Sequence, residues 1–212
     1  MVDSVEVFEK FAKEYDAWFD KNKIAYESEL LALRRLIPEK GRGIEIGVGT
    51  GRFAIPLGIK EGVEPSDSMA KIAKMRGVRV YKGTAENLPL SSSSFDFATM
   101  ITTLCFVRDP IKAIKEAKRI LREKGLIIIG MIDKESPLGR IYEKKKKKSK
   151  FYRHANFYSV SEVVYWLKKL NFTNFKFYQT IFTLPEKMKK VEPPKEGYGE
   201  GGFVAISGQR NF

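Results

Sequence analysis

The sequence is poor in cysteine and histidine and has no long apolar run. Its single cysteine, Cys105, excludes an intramolecular disulfide and a cysteine-based zinc site, so no metal site is expected. No apolar segment approaches the roughly 18 residues that a membrane-spanning helix needs. The first residues have neither the basic start nor the apolar centre of a signal peptide. Together these absences predict a cytoplasmic protein without a membrane span.

Glutamine is also scarce, and its scarcity bears on the net charge of +13. The chain has 27 lysines and 19 glutamates but two glutamines, a bias typical of heat-adapted proteins, so we expect a thermophilic source. Nine basic and two acidic residues fall in 134–153, which includes the run Lys144–Lys148. Such runs of charged residues usually lie in solvent, although a basic run could also belong to a nucleic-acid-binding surface. A nucleic-acid partner is therefore an alternative that is not favoured.

Strand-like apolar runs alternate with amphipathic stretches between residues 42 and 131. Strands are predicted at 44–48, 59–63, 78–81, 95–101 and 126–131. Helices are predicted at 51–57, which is short and interrupted by Pro56, at 66–76, and from Asp109-Pro110 to Lys124-Gly125. Asp109 and either Ser66 or Asp67 fit as N-caps. Because β-α-β crossovers are right-handed, this series predicts a parallel sheet with helices on both faces.

The last third of the chain has a different pattern. A helix at 159–170 precedes an aromatic strand at 172–182 and a further strand at 203–209. With no helix between them, these two strands should pair antiparallel. Ligands in open α/β sheets bind beyond the carboxyl ends of the parallel strands. We therefore expect the loop 183–202 and the basic insert at 134–153 to cover a substrate pocket there.

The segment Glu45–Gly51 is the most informative of the sequence. It places an acidic residue at the end of a strand and glycines at positions 47, 49 and 51. Such glycines allow a tight turn in which a ligand lies against bare backbone. A dinucleotide-binding turn would have its third glycine where Arg52 stands, and Glu45 would repel the pyrophosphate. The acid instead suits a cationic group such as the methionine ammonium of S-adenosylmethionine.

Further motifs follow in a fixed order. Val63-Glu64-Pro65-Ser66 places an acid at the end of the second strand, where a carboxylate can accept hydrogen bonds from both ribose hydroxyls. Gly83–Pro89, Ser94–Phe97 and Ala117–Leu126 come next. With these motifs the chain resembles the class I S-adenosylmethionine-dependent methyltransferases. It is most similar to their small-molecule branch, methyltransferase type 11, which includes the ubiquinone and menaquinone biosynthesis methyltransferases.

The resemblance implies a Rossmann-like α/β fold, with a seven-stranded, mostly parallel sheet, an antiparallel C-terminal strand and helices on both faces. One domain would span 1–212, with a helical lid (1–38), a cofactor-binding half (42–131), a basic substrate-side insert (132–158) and a C-terminal helix and strand pair (159–212). The implied cofactor is S-adenosylmethionine, with S-adenosylhomocysteine as product. The residues implied for its site are Glu45, Gly47, Gly49, Thr50, Gly51, Glu64, Pro65, Ser66, Met69, Thr84, Ala85, Glu86, Met100 and Thr102.

Aromatic residues near the N-terminus provide a candidate lid over the cofactor. They recur at helical spacing, which also fits a helix that merely packs on the core. They are Phe8, Phe11, Tyr15, Trp18 and Phe19. Related enzymes place such a helix over the cofactor, so the resemblance makes Tyr15 a candidate catalytic residue and Trp18 a candidate substrate contact.

His154 is the second candidate catalytic residue. As the only histidine it could act as a general base, or it could be structural. Tyr152 and Tyr158 flank it and could orient a substrate or simply pack. Many relatives carry histidine where this chain has Cys105-Phe106, and Cys105 is expected to be a buried hydrophobe rather than a nucleophile.

The sequence therefore predicts an enzyme that transfers a methyl group in line from S-adenosylmethionine to a small-molecule acceptor. Two alternatives stay open. One is an RNA methyltransferase that uses the basic insert to bind its substrate. The other is a protein that binds S-adenosylmethionine without catalysis.

Overall fold

The computed structural model describes residues 4–211, and within this range eight strands form one sheet. The strands are β1 Gly43–Ile46, β2 Glu61–Glu64, β3 Arg79–Lys82, β4 Phe95–Ile101, β5 Leu121–Ile132, β6 Phe172–Thr180, β7 Lys195–Glu196 and β8 Phe203–Arg210. Their order across the sheet is β3-β2-β1-β4-β5-β8-β6-β7. Strands β1 to β5 are parallel, and β8 lies antiparallel between β5 and β6. The predicted mostly parallel sheet with an antiparallel C-terminal strand is confirmed.

The predicted count of seven strands is wrong by one. The additional strand, β7, has two residues and pairs antiparallel with β6, where Glu196 lies opposite Tyr178. It falls within the loop 183–202. That segment is rich in proline, lysine and glycine and has no alternating apolar pattern, so its sequence gives no strand signal.

Six α-helices surround the sheet in the described range. They are α1 Ser4–Lys21, α2 Lys23–Arg34, α3 Asp67–Met75, α4 Pro110–Ile120, α5 Pro137–Lys145 and α6 Val160–Lys169. Helices α4 and α6 contribute to the apolar cluster on one face, and α1, α2 and α3 to the cluster on the other. None of the helices within residues 4–211 is long and apolar enough to cross a membrane.

Strand β5 shows how the core holds the sheet in place. Ile127 and Ile129 belong to one apolar cluster and Ile128 to the other, so both faces of this strand are covered. All three side chains are fully buried, and each such burial stabilises the fold by about 1.5–3 kcal/mol. A strand buried on both faces reads as a continuous apolar run, which explains why this strand was recognised in the sequence. Packing on both faces of the sheet therefore holds the carboxyl ends of the parallel strands in fixed positions.

Two helices begin close to these carboxyl ends, and their N-caps agree with the prediction. The Ser66 hydroxyl accepts a hydrogen bond from the Met69 N–H (3.2 Å) at the start of α3. The Asp109 carboxylate accepts one from the Lys112 N–H (2.9 Å) at the start of α4. Each cap satisfies a backbone donor that the helix itself leaves unpaired. The caps thereby fix the chain where it leaves β2 and where it approaches α4.

Two predicted helix bounds are wrong. The segment 51–57 forms turns and the three-residue 3-10 helix Ile55–Leu57 instead of an α-helix. Pro56 supplies no backbone donor and Gly58 adopts a left-handed conformation, so too few residues remain for a helical nucleus. Helix α4 ends at Ile120 rather than near Lys124, because Leu121 already pairs with Phe95 as the start of β5.

Helix α1 is fastened over the sheet by charged contacts. The Asp16 carboxylate accepts hydrogen bonds from Arg52 (2.8 Å) and from Arg76 (2.7 Å), and its side chain is 16% exposed. About two helical turns earlier, Glu9 accepts a hydrogen bond from the Ser66 hydroxyl (2.6 Å). Arg52 occupies the position of the third dinucleotide glycine, so this departure from the dinucleotide pattern anchors α1 to the turn after β1.

Replacing Asp16 should destabilise the protein. Asp16→Asn leaves two guanidinium groups without a partly buried charged partner, which should lower the free energy of unfolding by about 2 kcal/mol. Urea unfolding at pH 7 measures this change. Asp20→Asn is the matched control, because Asp20 pairs with Arg52 from an exposed position, and its effect should be much smaller.

The effect of Asp16→Asn should also depend on pH. Burial opposes ionisation of Asp16, but the hydrogen bonds from Arg52 and Arg76 outweigh it and hold its pKa below the ordinary 3.8. A carboxyl with a lower pKa in the folded state than in the unfolded state stabilises the folded state at pH values above its ordinary pKa. This contribution to stability is lost as the pH falls toward the folded-state pKa. The difference between variant and parent should therefore persist at pH 7 and shrink below about pH 4. Equal stability at pH 7 would contradict the assignment.

Candidate active site

A cavity of about 560 Å³ opens at the carboxyl ends of β1, β2 and β4 and is bordered by α1. Ten of the site residues expected from the sequence line it: Tyr15, Gly47, Gly49, Glu64, Pro65, Met69, Thr84, Ala85, Glu86 and Thr102. The fold therefore brings three sequence motifs together, namely the glycine turn, the end of β2 and the loop after β3. This is the edge at which open α/β sheets bind ligands.

The glycine turn presents bare backbone to the cavity. Gly47 and Gly49 have positive φ angles of 72° and 54°. A Cβ added at Gly47 would lie 2.6 Å from the Thr103 side chain, so the turn cannot accept one there. At Gly49 it would meet only Met69 (3.4 Å) and Tyr15 (4.0 Å), which belong to the cavity wall. A side chain at Gly49 would therefore occupy ligand space.

Glu64, the last residue of β2, joins the glycine turn to α3. One carboxylate oxygen accepts the Gly49 N–H (2.9 Å) and the other accepts the Ser66 N–H (3.0 Å). Burial raises the pKa of Glu64 to about 7, against the lowering effect of these two hydrogen bonds. A carboxylate has about four lone-pair sites. Glu64 can therefore hold the turn and still accept hydrogen bonds from ligand hydroxyls.

Five of the expected cofactor residues do not line the cavity, and these are Glu45, Thr50, Gly51, Ser66 and Met100. All five are buried: Ser66 caps α3, Gly51 packs on Ala73 and Met100 lies in the core. Glu45 is 2% exposed, and its Oε2 has no hydrogen-bond partner among residues 4–211. Burial and the nearby Glu64 carboxyl raise its pKa well above the ordinary value. Glu45 is therefore a buried acid without a cationic partner.

The loop after β3 closes the opposite side of the cavity. Its residue Glu86 accepts hydrogen bonds from the Arg108 N–H (2.8 Å) and from the Asp109 N–H (3.4 Å). One carboxylate oxygen of Glu86 therefore ties this loop to the start of α4. The cofactor contact that the resemblance implies for Glu86 would come in addition to this structural role.

The wall that follows β4 was not among the expected site residues, apart from Thr102. Residues 101, 103, 106–109 and 112 line the cavity, as does Val5 on α1. A signal was present, because the chain leaves the carboxyl end of β4 here and then reaches the N-cap Asp109. Residues between a strand end and a helix start at this edge usually face the ligand.

Tyr15 lies where the cavity meets a cluster of aromatic rings. Its ring packs edge-on against the rings of Phe8 and Phe151, with centroid distances of 5.3 Å and 5.5 Å. In the same cluster Phe106 stacks on Tyr152, with their ring centroids 6.1 Å apart. Burial raises the pKa of the Tyr15 phenol, which therefore stays protonated. The expected substrate residue Trp18 lies elsewhere, packed with Phe19 (5.3 Å) beside the apolar cluster of α2.

The other expected acceptor-side residues lie beyond Thr102. Tyr152 and Tyr158 border a gap of about 20 Å³ that shares Thr102 with the larger cavity. His154 ends the 3-10 turn Tyr152–His154 and lines neither the gap nor the cavity. The structure thus places the two tyrosines at the gap and leaves the histidine outside it.

Cys105 also borders the gap. Its thiol donates to the Thr102 carbonyl at 3.3 Å, and burial raises the pKa of the thiol to about 12. A nucleophilic cysteine needs a thiolate, which this environment disfavours. Cys105 accordingly has the properties of a packing residue.

The cavity wall and the buried layer behind it fit S-adenosylmethionine on three grounds. The bare backbone at Gly49 admits a bulky ligand, and the remaining lone pairs of Glu64 suit the ribose hydroxyls. The orphaned Oε2 of Glu45 is a buried acceptor that an ammonium group would satisfy. These donors and acceptors match the ligand that the glycine turn predicts.

Comparisons with known proteins agree with this assignment. A family model described as a methyltransferase domain matches residues 44–129. An uncharacterized protein of Methanocaldococcus jannaschii is 57% identical over 206 residues, which cover 97% of this chain and 100% of that protein. A demethylmenaquinone methyltransferase of Staphylococcus aureus is 28% identical over 139 residues, which cover 58% of this chain and 57% of that enzyme.

A solved structure extends the similarity to the whole fold. It is that of a Thermotoga maritima protein described as an S-adenosylmethionine-dependent methyltransferase, possible histamine N-methyltransferase. The two chains are 55% identical with a TM-score of 0.95 over 98% of this chain and 100% of that one. The Methanocaldococcus and Thermotoga sources of two of these relatives fit the expected heat-adapted source. With S-adenosylmethionine as its cofactor, the chain belongs to the S-adenosylmethionine-dependent methyltransferases with a type 11 methyltransferase domain.

Proposed function

We propose that the enzyme transfers the methyl group in line to a small-molecule acceptor. The observation that carries this proposal is the aromatic lining of the cavity beside α1. Val5, Phe8 and Tyr15 on α1 form one wall, and further aromatic rings pack against Tyr15. A ring-lined cavity of about 560 Å³ suits a small apolar or amphipathic molecule better than a polymer.

The cofactor-binding roles belong to the same proposal. Gly47, Gly49 and Glu64 would hold the cofactor through backbone and carboxylate groups, and the buried Glu45 would favour its ammonium from behind the cavity wall. Pro65, Met69, Thr84, Ala85, Glu86 and Thr102 would supply the rest of the contact surface. Thr50, Gly51, Ser66 and Met100 would shape the wall from behind.

The bound cofactor supplies a methyl group made electrophilic by its sulfonium. The protein's own part is to orient the acceptor and to exclude water, and correct positioning alone can lower the barrier by about 7–11 kcal/mol. Tyr15, Phe8 and Phe106 provide the aromatic surface that excludes water at this end of the cavity. Their faces also suit a positive charge.

Two relatives support a small-molecule acceptor. The Thermotoga neighbour is described as a possible histamine N-methyltransferase, and the Staphylococcus relative is a demethylmenaquinone methyltransferase. Both names denote small acceptors.

The cytoplasm remains the expected compartment. A chain with a single cysteine forms no intramolecular disulfide, as is usual for proteins of this reducing compartment.

An RNA acceptor is the second candidate, and one observation favours it. In the run 144–148 four of the five lysines are exposed, and nearby Lys150 forms an ion pair with Glu14 of α1 (2.7 Å). A basic surface therefore adjoins the helix that covers the cavity. Such a surface could hold a polyanion close to the site.

Radiolabelled methyl transfer separates the two candidates. The wild-type protein is incubated with methyl-labelled S-adenosylmethionine and either a small-molecule extract or total RNA. We expect label in the small-molecule fraction, unchanged by added RNA. Label only in RNA would overturn the proposed acceptor class, and cofactor binding without transfer to either pool would favour a protein that binds without catalysis.

Glu64→Gln tests the cofactor site. The variant replaces a carboxylate oxygen by an amide, so affinity for S-adenosylhomocysteine should fall about tenfold or more in calorimetry. Glu61→Gln is the matched control on the same strand, because Glu61 pairs with Arg42 and does not line the cavity. Unchanged affinity in Glu64→Gln would contradict the assigned role.

The pH dependence of the same binding gives a second readout. The ionised Glu64 is the better acceptor for hydroxyl donors, and its pKa is raised to about 7 by burial. Wild-type affinity should therefore rise between pH 6 and pH 8, and this rise should be reduced in Glu64→Gln. A rise of the same size in both proteins would assign the titration to another group.

Replacing the two candidate catalytic residues should have unequal effects. Tyr15→Ala opens the wall beside the acceptor and should lower kcat/KM by roughly 100-fold, as expected when an acceptor is poorly positioned. His154→Ala should stay within a factor of about three, since His154 lines neither cavity. A large loss in His154→Ala with unchanged folding would restore the histidine as the base.

A further inference from the structure

Glu9 joins α1 to the start of α3 through three hydrogen bonds. One carboxylate oxygen accepts the Ser66 hydroxyl (2.6 Å) and the Ser68 N–H (3.0 Å), and the other accepts the Ser68 hydroxyl (2.7 Å). The hydrogen bonds from Ser66 and Ser68 lower the pKa of Glu9 to about 2, so its carboxyl is ionised at neutral pH. Hydrogen bonds to an ionised acceptor are stronger than neutral ones. Glu9 therefore holds the two helices together more firmly than a neutral side chain would.

Helix α1 is interrupted near its middle. Phe11 has a φ of −122° and a ψ of 27°, which are not helical values, so the helix consists of a first half (4–10) and a second half (12–21). The ion pairs of Asp16 hold the second half in place. Phe8, which lines the cavity, belongs to the first half. Because the backbone bends between the halves, the contacts of Asp16 do not by themselves fix the position of Phe8.

Phe8, the chain neighbour of Glu9, contacts the proposed acceptor side of the cavity. Its ring packs edge-on against Phe106, which belongs to the wall after β4, with the ring centroids 4.9 Å apart. It also stacks on Phe151, with a centroid distance of 5.6 Å. Phe8 and Phe106 both line the cavity. Two adjacent residues of α1 thus contact the cofactor side and the proposed acceptor side.

Ser66 connects Glu9 to residues of the cofactor side. Its backbone N–H donates to the Glu64 carboxylate (3.0 Å). Its hydroxyl accepts the Met69 N–H (3.2 Å) and donates to Glu9. Glu64 and Met69 both line the cavity. A ligand that holds the Glu64 carboxylate in place therefore also holds the backbone of the serine that Glu9 contacts.

Repulsion between the two acids opposes this connection only weakly. Burial is the main cause of the raised pKa of Glu64, and the charge of Glu9 adds to it, whereas Lys82 lowers it. Glu9 is exposed, so solvent and salt screen its charge. The hydrogen bonds through Ser66 therefore outweigh the repulsion.

We propose that Glu9 is a positioning residue that couples cofactor binding to the wall that α1 presents to the acceptor. This inference rests on the proposed role of Glu64 in binding the ribose hydroxyls. Ligand hydroxyls that hold Glu64 also hold Ser66, and Glu9 then keeps the first half of α1 docked. The cofactor thus increases the fraction of molecules in which Phe8 lies against the acceptor side. Because such coupling is reciprocal, the docked first half in turn raises the affinity for the cofactor.

Hydrogen exchange with and without S-adenosylhomocysteine tests the coupling without an acceptor. In the wild-type protein, saturating S-adenosylhomocysteine should slow amide exchange in residues 4–12 by about fivefold or more. In Glu9→Ala the ligand should still bind, but it should slow exchange there by less than about twofold. The variant should fold, because Glu9 is exposed and alanine favours a helix.

The affinity for S-adenosylhomocysteine gives a second readout. Calorimetry should show binding to Glu9→Ala about fivefold weaker than to the wild-type protein, as reciprocity requires. Glu9→Gln keeps an acceptor oxygen for the Ser66 hydroxyl, so it should recover most of the affinity and of the protection. Glu6→Ala is the matched control and should behave as the wild type, because Glu6 is exposed on the same half of α1 and takes no part in these hydrogen bonds.

A double-mutant cycle tests whether Glu9 acts through Glu64. In the Glu64→Gln background, Glu9→Ala should weaken binding of S-adenosylhomocysteine by less than about twofold, because the Glu64 carboxylate that links Ser66 to the ligand is already gone. Equal effects of Glu9→Ala in both backgrounds would overturn the proposed coupling, since Glu9 would then act independently of Glu64.

The outcomes separate the inference from the proposed function. Equal protection of residues 4–12 in the wild type and in Glu9→Ala, or protection in neither, overturns the positioning role alone. Unchanged affinity in Glu64→Gln overturns the proposed role of Glu64 and the inference that rests on it. Failure of the wild-type protein to bind S-adenosylhomocysteine overturns the proposed function together with the inference.

Discussion

The carboxylate of Glu64 is the contact on which the rest of the site depends. It accepts the Gly49 N–H and the Ser66 N–H, so it joins the glycine turn after β1 to the start of α3. Without these donors an acid buried at the end of β2 would destabilise the fold. With them it fixes the turn whose bare backbone faces the cavity. The Ser66 hydroxyl extends the network to Glu9, and through it to α1.

In the proposed function, helix α1 connects cofactor binding to acceptor binding. Glu9 attaches the helix to the start of α3 and Asp16 attaches it to the turn after β1, while Tyr15 on the same helix contacts the aromatic rings beyond the cavity. Burial of apolar side chains alone does not fix the position of such a helix, because its apolar face can shift along the core without losing contact. The charged contacts fix its position. The opposite ends of the site are therefore held by one element.

Nine of the fourteen expected cofactor residues line the cavity, whereas the expected acceptor-side residues Trp18 and His154 do not, for physical reasons. The glycine turn, Glu64 and the loop after β3 are local motifs, since each depends on backbone geometry within a few residues. Strand β5 and the caps Ser66 and Asp109 were likewise readable from local pattern. Trp18 and His154 were expected at the acceptor side from helical spacing and from residue type, and neither shows which side chain faces a cavity once distant segments have packed together.

The direct test of the central claim is calorimetric binding of S-adenosylhomocysteine to the unmodified protein, with NAD as the comparison ligand. The account predicts micromolar binding of S-adenosylhomocysteine and none of NAD, because Glu45 and Arg52 replace the features that a pyrophosphate needs. Binding of NAD alone would contradict the interpretation of the glycine turn and of everything built on Glu64.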